Sequence, residues 1–388
     1  MKVFKKPLIQ YIISPIVGGL TLFLPSVTLG ESSTPPPLSI QEQKIAEDLI
    51  NCISDSFTSE QSGSQQTLET TSLKCFYQII YLDQNGEIRP DAEDRLKTLV
   101  KLTGVALPTP IREGKATIQL EKLPNTDIFT LPVTIEGNTQ KFILDLGASN
   151  SIITRELAQQ LKLQSIIIPS EILEYMVVGQ SCANIEAAMH PFPKVAINAA
   201  TAQGLMGLGL SNFVFSEAIS GVVGLDFFSG FDLLINPQSL QLEILPSSAI
   251  KSKAIPLKGK MGLMTTEVYI NGKGPFTFLL DTGAEKMVIS EKLAQTLNMT
   301  KLEQQEVRGF CGNEPAYSTQ VNQVRLQDHT LNDLEGVIVN TEVLEVLGID
   351  GIVGQNFLNQ YQQHWQFSSP NELGFPETGG LTLNPLMK

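Results

Sequence analysis

One stretch of this chain is written twice. The run FTLPVTIEGNTQKFILDLGASNSIITRELAQQL begins at Phe129, and TTEVYINGKGPFTFLLDTGAEKMVISEKLAQTL begins at Thr265. Each reads as a strand, a Gly-containing turn, an apolar strand and then Asp-x-Gly-Ala. A short strand and a helix follow, Arg155–Leu161 in one copy and Glu291–Leu297 in the other. The two aspartates are 281 − 145 = 136 residues apart. A second match lies downstream. Gly221-Val222-Val223-Gly224 corresponds to Gly351-Ile352-Val353-Gly354, 76 and 70 residues after the respective Asp. Between them, the stretch around Gly179 and Cys182 matches the one around Gly309 and Cys311. A duplicated, ordered set of this kind predicts two homologous β-rich lobes, over 115–247 and 254–388.

What such lobes can do follows from the repeated turn. Gly147 and Gly283 permit backbone shapes closed to other residues, and Ala148 and Ala284 leave room for a second chain to approach. A lone Asp in a turn is ordinarily a local Asx bond. Two copies related by a pseudo-two-fold axis bring Asp145 and Asp281 face to face, either within one chain or between two chains. Carboxylates a few ångströms apart do not both ionise easily, so they share one proton. The ionised member can then take a proton from water while the protonated one donates to a substrate carbonyl oxygen.

With these residues in view, the sequence resembles the retropepsin-like aspartic peptidases over about residues 115–388. It closely resembles exported bacterial proteins in which two such domains are fused. The resemblance implies a mainly β fold. Two tandem retropepsin-like acid-protease β-barrel lobes would form a pseudo-two-fold bilobal unit behind a small helical domain. It implies that Asp145 and Asp281 are catalytic, supported by Leu146, Gly147, Ala148 and Ser149 and by Thr282, Gly283, Ala284 and Glu285. It implies that Val222, Val223, Gly224, Ile352, Val353 and Gly354 pack under the turns. Flap hairpins map onto 175–185 and 306–316, with Gly179, Cys182, Gly309 and Cys311 in them. The implied activity is endopeptidase hydrolysis of a polypeptide bound as an extended strand, with no metal or other cofactor. The chain would be a monomer with its lobes paired intramolecularly.

The sequence departs from the family at Leu146. A Thr or Ser there would give a hydroxyl that ties the two turns together; only the second copy has one, at Thr282. A catalytically weak or inactive relative that binds extended peptides, or scaffolds an assembly, is therefore the alternative reading. Ser149 and Glu285 sit four residues after each Asp. Ser149 is expected to favour charge on Asp145, and Glu285 to favour protonation of Asp281, unless both simply face solvent.

Composition narrows the remainder. With 27 basic and 40 acidic residues the net charge is −13, so the phosphate-neutralising surplus of a nucleic-acid binder is missing. His190, His329 and His364 lie far apart in sequence, which disfavours zinc-hydrolase and Ser-His-Asp chemistry; they read as surface or satisfied polar positions. Lys2, Lys5 and Lys6 precede an uncharged stretch from Pro7 to Gly30, either a cleaved export signal over 1–30 or an anchor through residues 7–29. In either case the body lies outside the cytoplasm, in the periplasm or facing it. Residues 31–38 read as a Ser/Pro linker, 39–104 as a small helical domain and 105–114 as a second linker. In an exported protein Cys52 and Cys75 form a reasonable disulfide, while Cys182 and Cys311 are either separate thiols or a bridge between the flaps. Trp365 and Phe367 read as core. The run Gly204-Leu205-Met206-Gly207-Leu208-Gly209 lacks the βαβ context of a phosphate loop and reads as a mobile insertion in the first lobe.

Overall fold

The computed structural model describes residues 39–59, 74–83, 89, 91–103, 110–168, 173, 185–211, 218–310, 312–371 and 373–386. The expected export segment and linker (1–38), Gly104, Gly179, Cys182 and Cys311 lie outside these residues. The chain divides into two compact units, Met1–Leu107 and Pro108–Lys388.

The first unit is helical. Ser39 and Glu42 form a reciprocal cap, the Ser39 N–H donating to Glu42 Oε2 (2.7 Å) and the Glu42 N–H to Ser39 Oγ (3.2 Å). The cap starts the helix Ile40–Ser59, whose Ile45, Leu49 and Ile53 are buried with Cys75 and Ile80. The helix Ala92–Thr103 adds Leu96 to this small core. Cys52 and Cys75 are joined in a disulfide. A core this small gains from such a link, since closing a loop of this length restricts the unfolded chain by about 3 kcal/mol.

The second unit is mainly β and holds both lobes. Among the described residues its strands form sheets of 11 and 13 members. Each lobe carries the same hairpin ahead of its Asp turn. Strand Phe129–Ile135 turns through Glu136 and Gly137 into Asn138–Leu144, and Leu263–Ile270 turns through Asn271 and Gly272 into Lys273–Leu280. Both residues of each turn have positive φ (48° and 81°, 52° and 74°), the two-residue loop whose twist suits a hairpin. The short helices come next. Thr154 Oγ1 caps Arg155–Gln160 by accepting from the Leu157 N–H, and Ser290 Oγ caps Glu291–Leu297 by accepting from the Leu293 N–H.

The lobes join through a sheet that reads the same from either end. Its order is Ala116–Gln119, Gln241–Pro246 and Phe231–Asn236 from the first lobe, then Tyr361–Phe367, Thr378–Pro385 and Ile255–Lys260 from the second. At its centre Leu233 pairs with Trp365, Leu234 with His364 and Ile235 with Gln363. Trp365 and Phe367 are buried here, as their apolar character suggested. Asp232, also buried, accepts from the Ser248 N–H (3.0 Å), Ser248 Oγ (2.5 Å) and Gln366 Nε2 (3.1 Å), with His364 Nε2 3.1 Å from its Oδ2. The serine donates to the aspartate rather than to the histidine, so this trio is no nucleophile relay.

Two expectations are corrected. Residues 111–113 are not linker: Ile111–Glu113 is a strand paired with 201–203 at the edge of the first lobe's sheet. Arg112 secures it by donating to the Asp226 carbonyl and to Ser229 Oγ (3.3 Å). Nor is the Gly204–Gly209 run a mobile insertion. Met206–Leu210 is a sheet strand, parallel to Ile152–Thr154 and antiparallel to Ala187–Pro191. The aromatic ring of Phe192 lies over Gly207 and the imidazole of His190 over Gly209, so these glycines make room for rings in a packed layer. His190 is buried, with Nδ1 2.7 Å from the Gln164 carbonyl oxygen.

Candidate active site

Each Asp-x-Gly-Ala turn is held from below by the apolar-apolar-Gly element of its own lobe. Gly221–Val223 lies parallel to the strand entering the first turn, with Leu144 opposite Val223; Gly351–Val353 does the same in the second, with Leu280 opposite Val353. The Asp145 N–H donates to the Val223 carbonyl and the Asp281 N–H to the Val353 carbonyl, each at 3.1 Å. One step on, the Leu225 N–H donates to the Ala148 carbonyl and the Gln355 N–H to the Ala284 carbonyl, each at 2.8 Å. Gly224 and Gly354 are required where these segments cross. A Cβ on Gly224 would stand 2.6 Å from the Ala148 carbonyl oxygen, and one on Gly354 2.8 Å from that of Ala284.

This scaffold brings the two aspartates together across the lobe boundary. The carboxyl of Asp281 lies over Gly147 and that of Asp145 over Gly283. Each carboxylate also accepts from the glycine N–H in its own turn, Gly147 to Asp145 Oδ1 (2.7 Å) and Gly283 to Asp281 Oδ1 (2.6 Å). The two carboxyls are thus set against each other across the boundary. Burial, then the Asp281 charge and the bond to it, push Asp145 well above the usual carboxylate range, against the Gly147 and Ala148 N–H groups. Burial raises Asp281 too, but the hydrogen bond from Asp145 and the Gly283 and Ala284 N–H groups hold it back. Two buried carboxyls so placed do not both ionise; they share one proton, whose titration belongs to the pair. The Ser149 hydroxyl does not act on Asp145 as expected. Ser149 Oγ donates to Asn150 Oδ1 (3.3 Å) instead, and the forces on Asp281 come from burial, from Asp145 and from its own turn.

The hydroxyl tie between the turns is one-sided. Thr282 Oγ1 donates to the Leu144 carbonyl (3.0 Å) and accepts from the Leu146 N–H (2.8 Å), stitching the second turn to the first. Leu146 returns nothing polar; its side chain is fully buried in the main core. Restoring the hydroxyl by Leu146→Thr adds roughly 0.5–1.5 kcal/mol of hydrogen bonding but removes buried carbon worth about 0.8 kcal/mol per methylene, plus a cavity. The expected result is a loss of about 1 kcal/mol in urea unfolding; a large gain in stability would show that the missing hydroxyl is a defect.

The repeat did not reveal everything that braces the turns. Gln355 Nε2 donates to the Thr282 carbonyl (3.0 Å) from a fully buried position, where the first lobe has Leu225. Asn150 Nδ2 donates to the Met206 carbonyl (3.0 Å). Five residues after the other Asp, Lys286 instead pairs with Glu335 (2.6 Å). The signal for both lies where the copies differ, and similarity alone passes over it. The expected second flap is a hairpin of Gln304–Gly309 and Gly312–Leu326, with Gly309 opposite Gly312. Among the described residues no three His, Cys, Asp or Glu side chains could hold a metal ion.

Two β lobes, each delivering one acid from an Asp-x-Gly-Ala turn to a shared carboxyl pair, define an aspartic-peptidase type of site. The family comparisons agree lobe by lobe: residues 131–227 match the model described as aspartyl protease, and residues 266–360 the model described as gag-polyprotein putative aspartyl protease. The chain thus carries aspartyl-protease domains in tandem, consistent with the retropepsin-like aspartic peptidases. No curated protein matches the sequence. Domains of this family point to peptide hydrolysis in general.

Proposed function

We propose that this protein is an aspartic endopeptidase whose dyad is Asp145 and Asp281. The observation that supports it most is the meeting of the two carboxyls across the lobe boundary, each lying over the glycine of the other's turn. A water between the carboxyls gives a proton to ionised Asp281 as its oxygen bonds to the peptide carbon, while Asp145 passes its proton to the carbonyl oxygen. The tetrahedral diol then collapses. Asp281 protonates the leaving nitrogen, the C–N bond breaks, and a diol hydroxyl returns its proton to Asp145. Water's atoms end up in the new acid and amine. Each proton transfer is worth roughly 10²–10⁴ in rate.

The substrate in this reading is a polypeptide lying as an extended strand, with the 306–316 hairpin as one flap. The N-terminal segment supports export, to the periplasm or to a membrane facing it, and the Cys52–Cys75 disulfide suits an oxidising compartment. The second reading, peptide binding without turnover, is favoured by Leu146 and its one-sided tie.

Digestion of an unfolded polypeptide across pH tests the choice. The singly protonated dyad predicts a bell-shaped kcat/KM. Its alkaline limb, where the pair loses its shared proton, falls above the ordinary carboxylate range, because burial raises both carboxyls. Statine-type mimics of the diol should inhibit. Tight peptide binding with no cleavage at any pH, together with turnover appearing in Leu146→Thr, would favour the binding reading.

A further inference from the structure

Beneath the first turn lies a buried acid that this chemistry leaves unused. Asp226 follows Gly224-Leu225 and is 8% exposed. Its N–H donates to the Ser149 carbonyl (3.1 Å); its Oδ1 accepts from Ser151 Oγ (2.6 Å) and from the Phe227 N–H (2.8 Å). Ser151 Oγ in turn accepts from the Gly224 N–H (3.1 Å). These bonds lace the segment after Asp145 to the element below it. Asp226 Oδ2 is buried with no hydrogen-bond partner among the described residues. The charged group facing it is Arg112, from the strand Ile111–Glu113, but that guanidinium donates to the Asp226 main-chain oxygen and to Ser229 Oγ. The other neighbours, Ser149, Ser151, Gly224 and Phe227, are neutral.

The second lobe supplies an internal comparison. Asn356 occupies the matching position, its N–H donating to the Glu285 carbonyl (2.9 Å), and its Oδ1 is likewise buried without a partner. The main-chain frame is the same, but the group is an amide that never carries charge and whose Nδ2 donates to the Glu335 carbonyl (2.7 Å). The shape accepts a neutral planar group, whereas a carboxylate there leaves one charged oxygen bare in a dry interior.

We propose that Asp226 is a positioning residue that works in its protonated form: the neutral carboxyl latches the segment following Asp145, and its ionisation loosens that latch. Burial pushes this carboxyl up to about 6, although the Ser151 hydroxyl, the Ser151 and Phe227 N–H groups and the Arg112 charge all favour the ionised form. The folded value lies above the ordinary 3.8 of the unfolded chain. The stabilisation is therefore complete below about pH 4 and is lost as pH rises to about 6. The first lobe's turn is held in acid and released toward neutrality, while the second lobe carries no such group at that position. Only the consequence, confinement of turnover to acid, rests on the peptidase reading.

Asp226→Asn in the full chain keeps the shape and removes the titration. Urea unfolding from about pH 3.5 to 8 reads the latch without any need for turnover. Between about pH 4 and 7 the unfolding constant of the variant, relative to wild type, should fall by up to roughly a hundredfold, two pKa units of linkage. The protection of amides 145–151, taken relative to the intrinsic exchange rate at each pH, should fall as pH rises in wild type and stay level in the variant. A merely structural role shifts stability equally at every pH, and a flat ratio would overturn the proposal. Should the Asn variant fail to fold, Ser151→Ala decides. It removes a group that favours the charge, so the window of lost stability must move to higher pH; an unmoved window overturns the latch. If wild type shows no peptidase activity at all, the unfolding result still stands on its own.

Discussion

Asp281→Asn lowers kcat/KM for peptide cleavage by about three orders of magnitude or more while leaving the lobes folded. The amide has the size of the carboxyl, and its oxygen still accepts from the Gly283 N–H now donating to Asp281 Oδ1. It cannot take a proton from water, so the general-base contribution disappears. Folding does not suffer, since a group whose charge is disfavoured by burial is replaced by a neutral one. The variant should also lose the proton-sharing signature: Asp145, freed of a neighbouring negative charge, should titrate lower than in wild type. Peptide cleavage assays and a carboxyl titration followed by NMR measure both. Cleavage at the wild-type rate would remove Asp281 from the chemistry and end the peptidase reading in its present form.

Gly283→Ala is expected to be nearly as damaging, by a different route. A Cβ at Gly283 would stand 2.5–2.8 Å from the three carboxyl atoms of Asp145, closer than non-bonded atoms approach. This glycine is not in the left-handed region, so backbone strain is not the cause. The methyl must push the Asp145 carboxyl away from Asp281. A displacement of about 1 Å in a reacting group costs on the order of a hundredfold in rate, and overpacking costs roughly 1–3 kcal/mol of stability. Turnover should therefore collapse in a protein that still unfolds cooperatively. Retention of full activity would mean that the carboxyls do not need their mutual contact.

What could be read in advance was whatever the two copies share. Asp145 with Asp281, the glycines after them and the apolar-apolar-Gly elements all stand at matching offsets, and pairing across a pseudo-two-fold axis follows from repetition. Short capped helices and Gly-containing hairpins were visible because their signals are local: Thr154 and Ser290 at the caps, Gly137 and Gly272 in the turns. The readings that changed depended on contacts distant in sequence. Ile111–Glu113 looked like linker because its partners lie 90 residues away, at 201–203. The Gly204–Gly209 run looked mobile because glycine in a sequence does not say which ring fills the space above it; here Phe192 and His190 do.

The amino-acid order alone determined that there are two like lobes, that each carries one acid on a glycine turn, and that nothing in the charge balance suits nucleic acid. Those properties belong to composition, periodicity and repetition, which need no neighbours. The tertiary structure decided that the two carboxyls meet across the lobe boundary, that Leu146 fills core while Thr282 alone stitches the turns, and that Asp226 is buried with an unpartnered oxygen. Protonation and packing depend on the dielectric and the atoms around a group, and many of those come from residues far along the chain, 75 positions for Ser151 on Asp226 and 138 for Thr282 on Leu144.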